Sequence, residues 1–593
     1  MFNFFLNSAL NLELPIQMSC PLRNNTCKNK VITGFTLICF SFSRLQAQSE
    51  VVLPQSGNTY IPLNSLSYHL VDRMDIQYKN AYRFGNTSTK PYLREDISGL
   101  ALAYSKYDTL NKKDRFNTNY LCSDNAEFCF CDTDNYYKGS IKNFVYRSPE
   151  TFYQYLTVRA NPVIHNSFGF SSDTSALKFV NTRGIEIRGS IDNKVGFYFY
   201  ASDNQAQLPK YVQERTNAAP QVVPGEGVVK VFKTTGVDYF TARGYFTFNA
   251  TEHIAFQFGQ DKIFIGDGIR SMIWSDNSKD QLLLKINTRI GRINYQNIFT
   301  ELANYDGSNI YNSLIHKKYA AIHHISVPIT KTFTLGAFES IIFDRTDAFG
   351  RENGFELHYL NPVIFYRAVE SGLGSSDNVL LGLNWKWNFL QRFSFYGQVV
   401  LDEFVFGELF AGDGWWGNKY AAQAGLKYID VLNISNLDIQ FEHNFAKPYI
   451  YAYDDKNGSS YTHYAQAIAH PLGANFSENI ISLWYQPAPK FTISNNLILS
   501  TFGSDTLSNN WGGNIFLDYN TYENEYGNFT GQGVKNNLLV NDLILSFQFW
   551  HNVFIDTRIT YRKLNNEIDI YDTQELYFSV GVRMNEVLKY FYF

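Results

Sequence analysis

Two alternating runs separated by a long loop set the main constraint on this chain. In the first, Ile254, Phe256 and Phe258 fall on one side, with His253, Ala255 and Gln257 on the other. In the second, Leu282, Leu284, Ile286 and Ile290 oppose Lys285, Asn287 and Arg289. A side-chain period of two means strands. The code recurs along the chain. Ile185, Ile187 and Ile191 oppose Glu186 and Arg188; Leu437, Ile439 and Phe441 oppose Asp438, Gln440 and Glu442. Ile555, Ile559 and Tyr561 oppose Asp556, Arg558 and Arg562; Leu576, Phe578, Val580 and Val582 oppose Tyr577, Ser579 and Arg583.

Alternation alone fits a soluble sandwich as well as a membrane barrel. Composition separates them. Aromatics make up 17% of the 593 residues, with 41 Tyr and 50 Phe, and charged residues only 18%, against about 25% in typical soluble proteins. Mean hydropathy is nevertheless −0.25, as expected when apolar residues hide at every second position. Aromatics cluster near strand ends, at Trp385, Trp387, Trp415, Trp416, Trp484, Tyr485 and Trp550, as interfacial girdles require. The chain ends in KYFYF, an aromatic alternating tail with a terminal Phe that resembles the signal read by the barrel-assembly machinery; the alternative is a hydrophobic last strand. The expected fold is therefore all-β, a transmembrane antiparallel β-barrel over 149–593. Roughly twenty strand-like runs, and the even numbers of bacterial barrels, set the count at about 18, with 16 and 20 as neighbours.

An apolar run, VITGFTLICFSFS, follows Lys28 and Lys30 and precedes LQAQSE. Its length fits a signal-peptide core and is too short to span a membrane as a helix. Residues 1–48 are read as a cleaved leader, whose first 25 residues are atypical, so translation from Met18 is an alternative. Such a leader predicts export to the outer membrane of a Gram-negative envelope. Export permits disulfides, and Cys122 is expected to pair with Cys129 or Cys131. Three Cys without a fourth ligand make a poor zinc site.

Region 49–148 does not alternate. Leu66, Leu70, Met74 and Tyr78 stand at helical spacing, as do Leu100, Ala103, Tyr104 and Tyr107. This predicts a small helical hairpin on the periplasmic side, bracing the barrel or docking envelope proteins.

Four long loops stand out, at 203–236, 261–280, 343–378 and 408–421. Runs 276–280 and 454–458 hold alternating oxygen ligands but lack the EF-hand's terminal Glu, and read as solvated turns. The two GDG triplets, at Gly266 and Gly412, read as turn chemistry, because neither sits between a strand and a helix as a nucleotide site demands. Trp415 and Trp416 suit either stacking on sugar rings or anchoring at the interface. No GxSxG, HExxH or metal-spaced cluster is present in the sequence, so no cofactor, metal or catalytic group is expected. A net charge of −4 with no basic patch argues against a nucleic-acid partner.

The run FGQDKIFIGDGIRSMIWSD followed by LLLKINTRIGRINYQNIFTEL resembles the capsule-assembly, Wzi-like outer-membrane proteins. LHYLNPVIFYRAVE and the VDRMDIQY…KPYLRED pair resemble their Bacteroidetes branch, which includes the gliding-motility protein RemB. The resemblance implies an 18-stranded barrel with a periplasmic helical part, and a role in holding surface polysaccharide or in surface motility. It singles out Asp261, Gly266, Asp267, Gly268, Arg270, Ser271 and Asp276, which either bind glycan or lock a plug loop in the lumen. The expectation is a non-enzymatic barrel surrounded by lipid and lipopolysaccharide that binds surface polysaccharide. A transport channel and a structural partner of the gliding or secretion machinery are the competing classes.

Overall fold

The computed structural model describes residues 57–77, 87–107, 110–129, 144–147, 156–192, 194–218, 221–233, 235–304, 315–345, 354–363, 365–373, 377–403, 405–454 and 458–593. The leader 1–48, Cys131 and part of the 454–458 turn lie outside them.

Eighteen long antiparallel strands close into a barrel. They are β1 (Leu156–Ser171), β2 (Thr174–Ile191), β3 (Val195–Gln207), β4 (Gly236–Asn249), β5 (Ile254–Asp261) and β6 (Gln281–Ile290). Then come β7 (Ile293–Asn304), β8 (His316–Pro328), β9 (Phe333–Phe343), β10 (Asn378–Phe389), β11 (Phe393–Leu401) and β12 (Tyr420–Tyr428). The last are β13 (Leu437–Ala446), β14 (Phe476–Ala488), β15 (Phe491–Ser504), β16 (Val534–Trp550), β17 (Val553–Asn566) and β18 (Thr573–Met584). β18 pairs with β1, Tyr577 opposite Ser171 and Met584 opposite Ile164, and removes the last free edge. Short strands Phe144–Arg147 and Lys230–Phe232 pair onto β1 and β4.

The alternation becomes two faces. On β18, Leu576, Phe578, Val580 and Val582 are exposed outward while Tyr577 and Ser579 are buried inward. Phe258, Leu282, Ile185, Phe199, Phe441 and Ile555 likewise stand exposed on the outer wall. Apolar side chains exposed around a closed barrel need a hydrocarbon surround, so these strands span a membrane. Trp387 and Trp550 belong to that exposed face near strand ends. Trp484 does not. It has the parity of inward Glu478, and its ring stacks on His69 at 4.3 Å inside the barrel.

The two ends differ. At one end strands join through short turns, such as 192–194, 291–292, 390–392 and 551–552. At the other lie long connections, 208–235, 262–280, 344–377, 402–419, 447–475 and 505–533.

Among the described residues the N-terminal region holds three helices, α1 (Leu66–Gln77), α2 (Arg94–Ser105) and α3 (Lys112–Asp124), rather than a hairpin; Tyr78 lies outside them. The expected second helix breaks because Asn111 caps a new one, its side chain accepting from Lys113 N and Asp114 N. Tyr107 lies in the break and is exposed. Leu70, Val71, Met74, Ile97, Leu100, Tyr104 and Leu121 share one apolar core. Cys122 is bonded to Cys129.

The helices close the short-turn end. Lys113 Nζ donates to Ser435 O at 2.5 Å and Asn117 exchanges bonds with Gln486. Arg73 sits among Asp438, Asp430 (2.9 Å) and Asp114 (3.7 Å). Residues 87–90 go further and enter the lumen, where Thr89 and Lys90 pair with Ile265 and Phe264.

Candidate functional site

The lumen is filled by the chain's own segments. Connection 262–280 folds inward, and Met272, Ile273 and Trp274 are fully buried. They pack on inward wall residues Leu283, Ile298, Ile322, Phe338, Ile342 and Leu380. One half of the barrel therefore has a hydrophobic core in its lumen.

Wall side chains latch this plug by its backbone. The Glu442 carboxylate accepts from Ile269 N at 2.7 Å and Arg270 N at 3.0 Å, and also from Tyr396 Oη and Asn444 Nδ2. Gln398 accepts from Met272 N at 2.7 Å and donates to Ile265 O at 2.8 Å. The glycines of the GDG triplet permit this approach. A Cβ on Gly266 would lie 2.4 Å from Gln398 Nε2, and one on Gly268 would lie 2.5 Å from Glu442 Oε2. Here the triplet is packing chemistry as well as turn chemistry.

A second inward connection, 447–475, interlocks with the plug. Tyr451 Oη donates to Met272 O at 2.6 Å and Tyr461 Oη to Ile273 O at 2.7 Å. Ser275 N donates to Ile468 O at 2.9 Å. The third element is the C-terminal segment, which is not a wall strand. The last wall strand ends at Met584, and residues 585–593 turn into the lumen, burying Tyr592 and Phe593. Arg558 donates to Lys589 O, Arg562 to Phe593 O, Arg583 to Glu586 O and Arg270 to Tyr592 O. Tyr592 Oη donates to Asp542 at 2.6 Å. Lys589 pairs with Glu226 at 2.9 Å. Burial alone would raise the Glu226 carboxyl, but Lys589, Lys262 and Arg243 hold it down at about 2.

The loop residues singled out from sequence all fall at the plug. Asp261 accepts from its neighbour Lys262 N and from Gln257. Asp267 meets Thr87 Oγ1 at 3.1 Å and Lys386 at 3.4 Å. Arg270 forks onto Glu478 at 3.2 and 3.3 Å. Ser271 Oγ donates to Ile265 O and accepts from Ile273 N and Trp274 N. Asp276 accepts from Asn64 at 2.7 Å. Sequence reasoning passed over Glu442, Glu478 and Gln398 as latch residues. Glu442 is one of four polar inward residues of its strand, with Asp438, Gln440 and Asn444, so nothing in the sequence sets it apart as a latch.

Beside the plug remains a cavity of about 370 Å³, bounded by Asp72, Lys427, Arg270, Trp484, Glu226 and Tyr592. Its walls mix both signs of charge.

Trp415 and Trp416 lie apart from the plug, on connection 402–419 at the long-loop end. Trp416 stacks on Tyr522 at 4.4 Å, with Tyr519 at 5.5 Å and Tyr449 edge-on at 6.2 Å. Lys419 Nζ stands 3.7 Å from the Tyr519 ring centre and 2.7 Å from Glu403. The Trp415 ring covers Gly417. Trp416 is thus a member of an aromatic cluster, and neither tryptophan sits on a strand.

Asp402, under this cluster, gives a pH test. Burial raises its carboxyl from 3.8 to about 7, with Glu403 adding to the rise while Lys419 and the bond from Tyr451 N oppose it. Between those values the folded protein holds a proton the unfolded chain has lost. The contribution of Asp402 to stability therefore falls as pH rises from about 4 to about 7, and is flat above. Compared with the native chain, Asp402→Asn is expected to gain heat stability at pH 8 relative to pH 5, changing the difference between the two unfolding temperatures. An unchanged difference would exclude Asp402 as its source.

Fold and site together define a plugged β-barrel of the outer-membrane kind, capped by helices at one end and ringed by long loops at the other. No protein-family model matches the chain, and no curated protein matches it. Among solved structures it is similar to Wzi of Escherichia coli, described as an outer-membrane protein involved in group 1 capsule assembly and a carbohydrate-binding β-barrel. That likeness has a TM-score of 0.52 at 13% identity and covers 90% of this chain and 100% of the other. It shows a Wzi-like fold. OprD of Pseudomonas aeruginosa matches over 72% of this chain and 94% of its own, with a TM-score of 0.39 and 10% identity.

Proposed function

We propose that this protein is a non-enzymatic outer-membrane barrel that holds surface polysaccharide at its long-loop end. The observation that carries the reading is the aromatic cluster around Trp416, set above a lumen filled by the plug, the second inward connection and the C-terminal segment. Aromatic faces complement the apolar faces of sugar rings. Phe406, Phe410 and Phe529 extend the apolar surface at that end. The likeness to a carbohydrate-binding barrel supports the same reading. Bacterial barrels place short turns in the periplasm and long loops outside; by that rule the helices face the periplasm and the cluster faces out. Lipopolysaccharide would surround the outer half of the wall, the assembly machinery would insert it after leader cleavage, and the helical cap offers a face to envelope partners. A link to gliding motility would run through polysaccharide held at the surface. A filled lumen argues against the competing reading of a diffusive channel.

Surface polysaccharide isolated from the same cells should quench or enhance tryptophan fluorescence of the purified barrel. Trp416→Ala should weaken that binding by about threefold to tenfold, since an aromatic stack contributes about 0.5–1.5 kcal/mol. Absence of any binding by the intact barrel would remove this reading.

A further inference from the structure

The described residues 354–363 and 365–373 of connection 344–377 do not enter the lumen but pack on the outer wall. On β7, β8 and β9 the inward positions are Gln296 and Ile298, Ile322 and His324, Phe338 and Ser340, several of them in the plug core. The opposite parity, Tyr295, Asn297, His323 and Glu339, therefore faces outward. Asn297, His323 and Glu339 are register partners in one row across three strands. Such a polar row on a lipid-facing wall is costly.

The connection covers it. Pro362 O accepts from Tyr295 Oη and, at 3.2 Å, from Asn297 Nδ2. Tyr366 N donates to Glu339 Oε1 at 2.9 Å, and the Tyr366 ring lies 4.1 Å from His323. Tyr359 and Tyr366 are fully buried against outward residues Phe299, Ala321, Ile341 and Phe343. At the long-loop end, Arg345 forks onto Asp377 with two contacts of 2.8 Å, and Tyr359 Oη donates to the same carboxylate at 2.6 Å. Glu356 and His358 pair at that end too, at 2.6 Å, with Glu356 3.8 Å from Arg345. These four charged side chains lie where the segment leaves and rejoins the strand ends. Its apolar middle descends as far as Tyr295, two residues from the start of β7.

The outer side of that middle is apolar. Val363 is 84% exposed, Phe365 74% and Leu357 71%, with Leu360 and Leu373 also exposed. These residues continue the exposed apolar band of the same wall, Leu282, Ile325, Leu335 and Leu381.

We infer that residues 354–363 and 365–373 form a membrane-inserted strap whose exposed apolar side chains meet lipid acyl chains, and that the polar row beneath exists to satisfy the backbone between its two helical turns, Leu357–Leu360 and Tyr366–Leu373, at Pro362 O and Tyr366 N. Non-helical backbone survives at membrane depth only when its polar groups find protein partners. Here Asn297, Tyr295 and Glu339 are those partners, while Leu357, Val363 and Phe365 supply the lipid-facing surface the row lacks.

A photo-reactive p-benzoylphenylalanine at position 363 of the full chain, irradiated in intact cells, tests this. A second chain carries it at wall residue Ile325 and a third at loop residue Leu507, which is fully exposed. Positions 363 and 325 should both form lipid adducts by mass spectrometry, and position 507 should not. A crosslink from 363 to a second copy or to another protein would overturn the inference. So would a lipid adduct from 325 with none from 363. Adding Arg345→Ala and Asp377→Ala should lower the adduct yield at 363 at least threefold while the barrel still runs as folded on an unheated gel. An unchanged yield would show that those side chains do not hold the strap against the wall.

Discussion

Glu442→Ala is expected to convert a silent barrel into a leaky one. In planar bilayers the native protein should give no large stable openings, because the lumen is occupied. The Glu442 carboxylate receives four donors, two of them plug amides at Ile269 and Arg270. A hydrogen bond contributes about 0.5–1.5 kcal/mol net, and an amide left buried without its partner costs about 1–3 kcal/mol. A destabilisation of about 3–5 kcal/mol follows, concentrated at the plug. Short-lived openings should appear in Glu442→Ala and lengthen when Glu478→Ala is added, since Glu478 holds the Arg270 side chain. Glu442→Gln keeps one acceptor oxygen and should fall between. Gly268→Ala should resemble Glu442→Ala, because its Cβ would enter the space of the carboxylate. Conductance in the native protein equal to that of the double variant would mean that the plug does not close the lumen.

Arg73→Ala is expected to release the helical cap. Arg73 is buried, with three carboxylates around it, two on the barrel and one on α3. Removing the cation leaves Asp438 buried beside Asp430 and Asp114 without their shared counter-ion. Breaking one partner out of a buried pair costs about 3–5 kcal/mol. Limited proteolysis should then cut within 66–124 at least tenfold faster, while the barrel still runs as folded on an unheated gel. Lys at this position should recover little, because an ammonium cannot fork between carboxylates on different elements. Equal cutting rates would place the cap's attachment elsewhere, on the Lys386 and Lys427 contacts with Asp72 and Asp75.

Alternation carried most of the architecture. The faces read from Leu576 to Val582, and from Leu437 to Glu442, are the faces the barrel presents. Wherever one side of a strand meets lipid and the other does not, sequence parity is a physical measurement of the wall. Parity also contained what was missed at Trp484, which shares its register with Glu478. Three features were not legible, each for a reason. KYFYF alternates like a wall strand, but it is an interior peptide held by Arg558, Arg562 and Arg583. Those donors are scattered over two strands, so no local pattern marks them. The polar row Asn297, His323 and Glu339 broke the alternation, and its meaning depends on a segment distant in sequence. The break between α2 and α3 was visible at Asn111, whose capping role outweighed a continuous apolar stripe. Of the plug, the glycines and acids were visible while their wall partners were not, because a latch is defined by two strands at once.

Under the proposed function, a closed barrel holds polysaccharide through its outer aromatic surface. The most direct measurement is the amount of surface polysaccharide bound to cells and shed into the medium after deletion of the gene, with the native chain or Trp416→Ala restored. Deletion should move polysaccharide from cells to medium at unchanged total, the native chain should reverse this, and Trp416→Ala should reverse it only in part. Retention unchanged by deletion would contradict the proposed function.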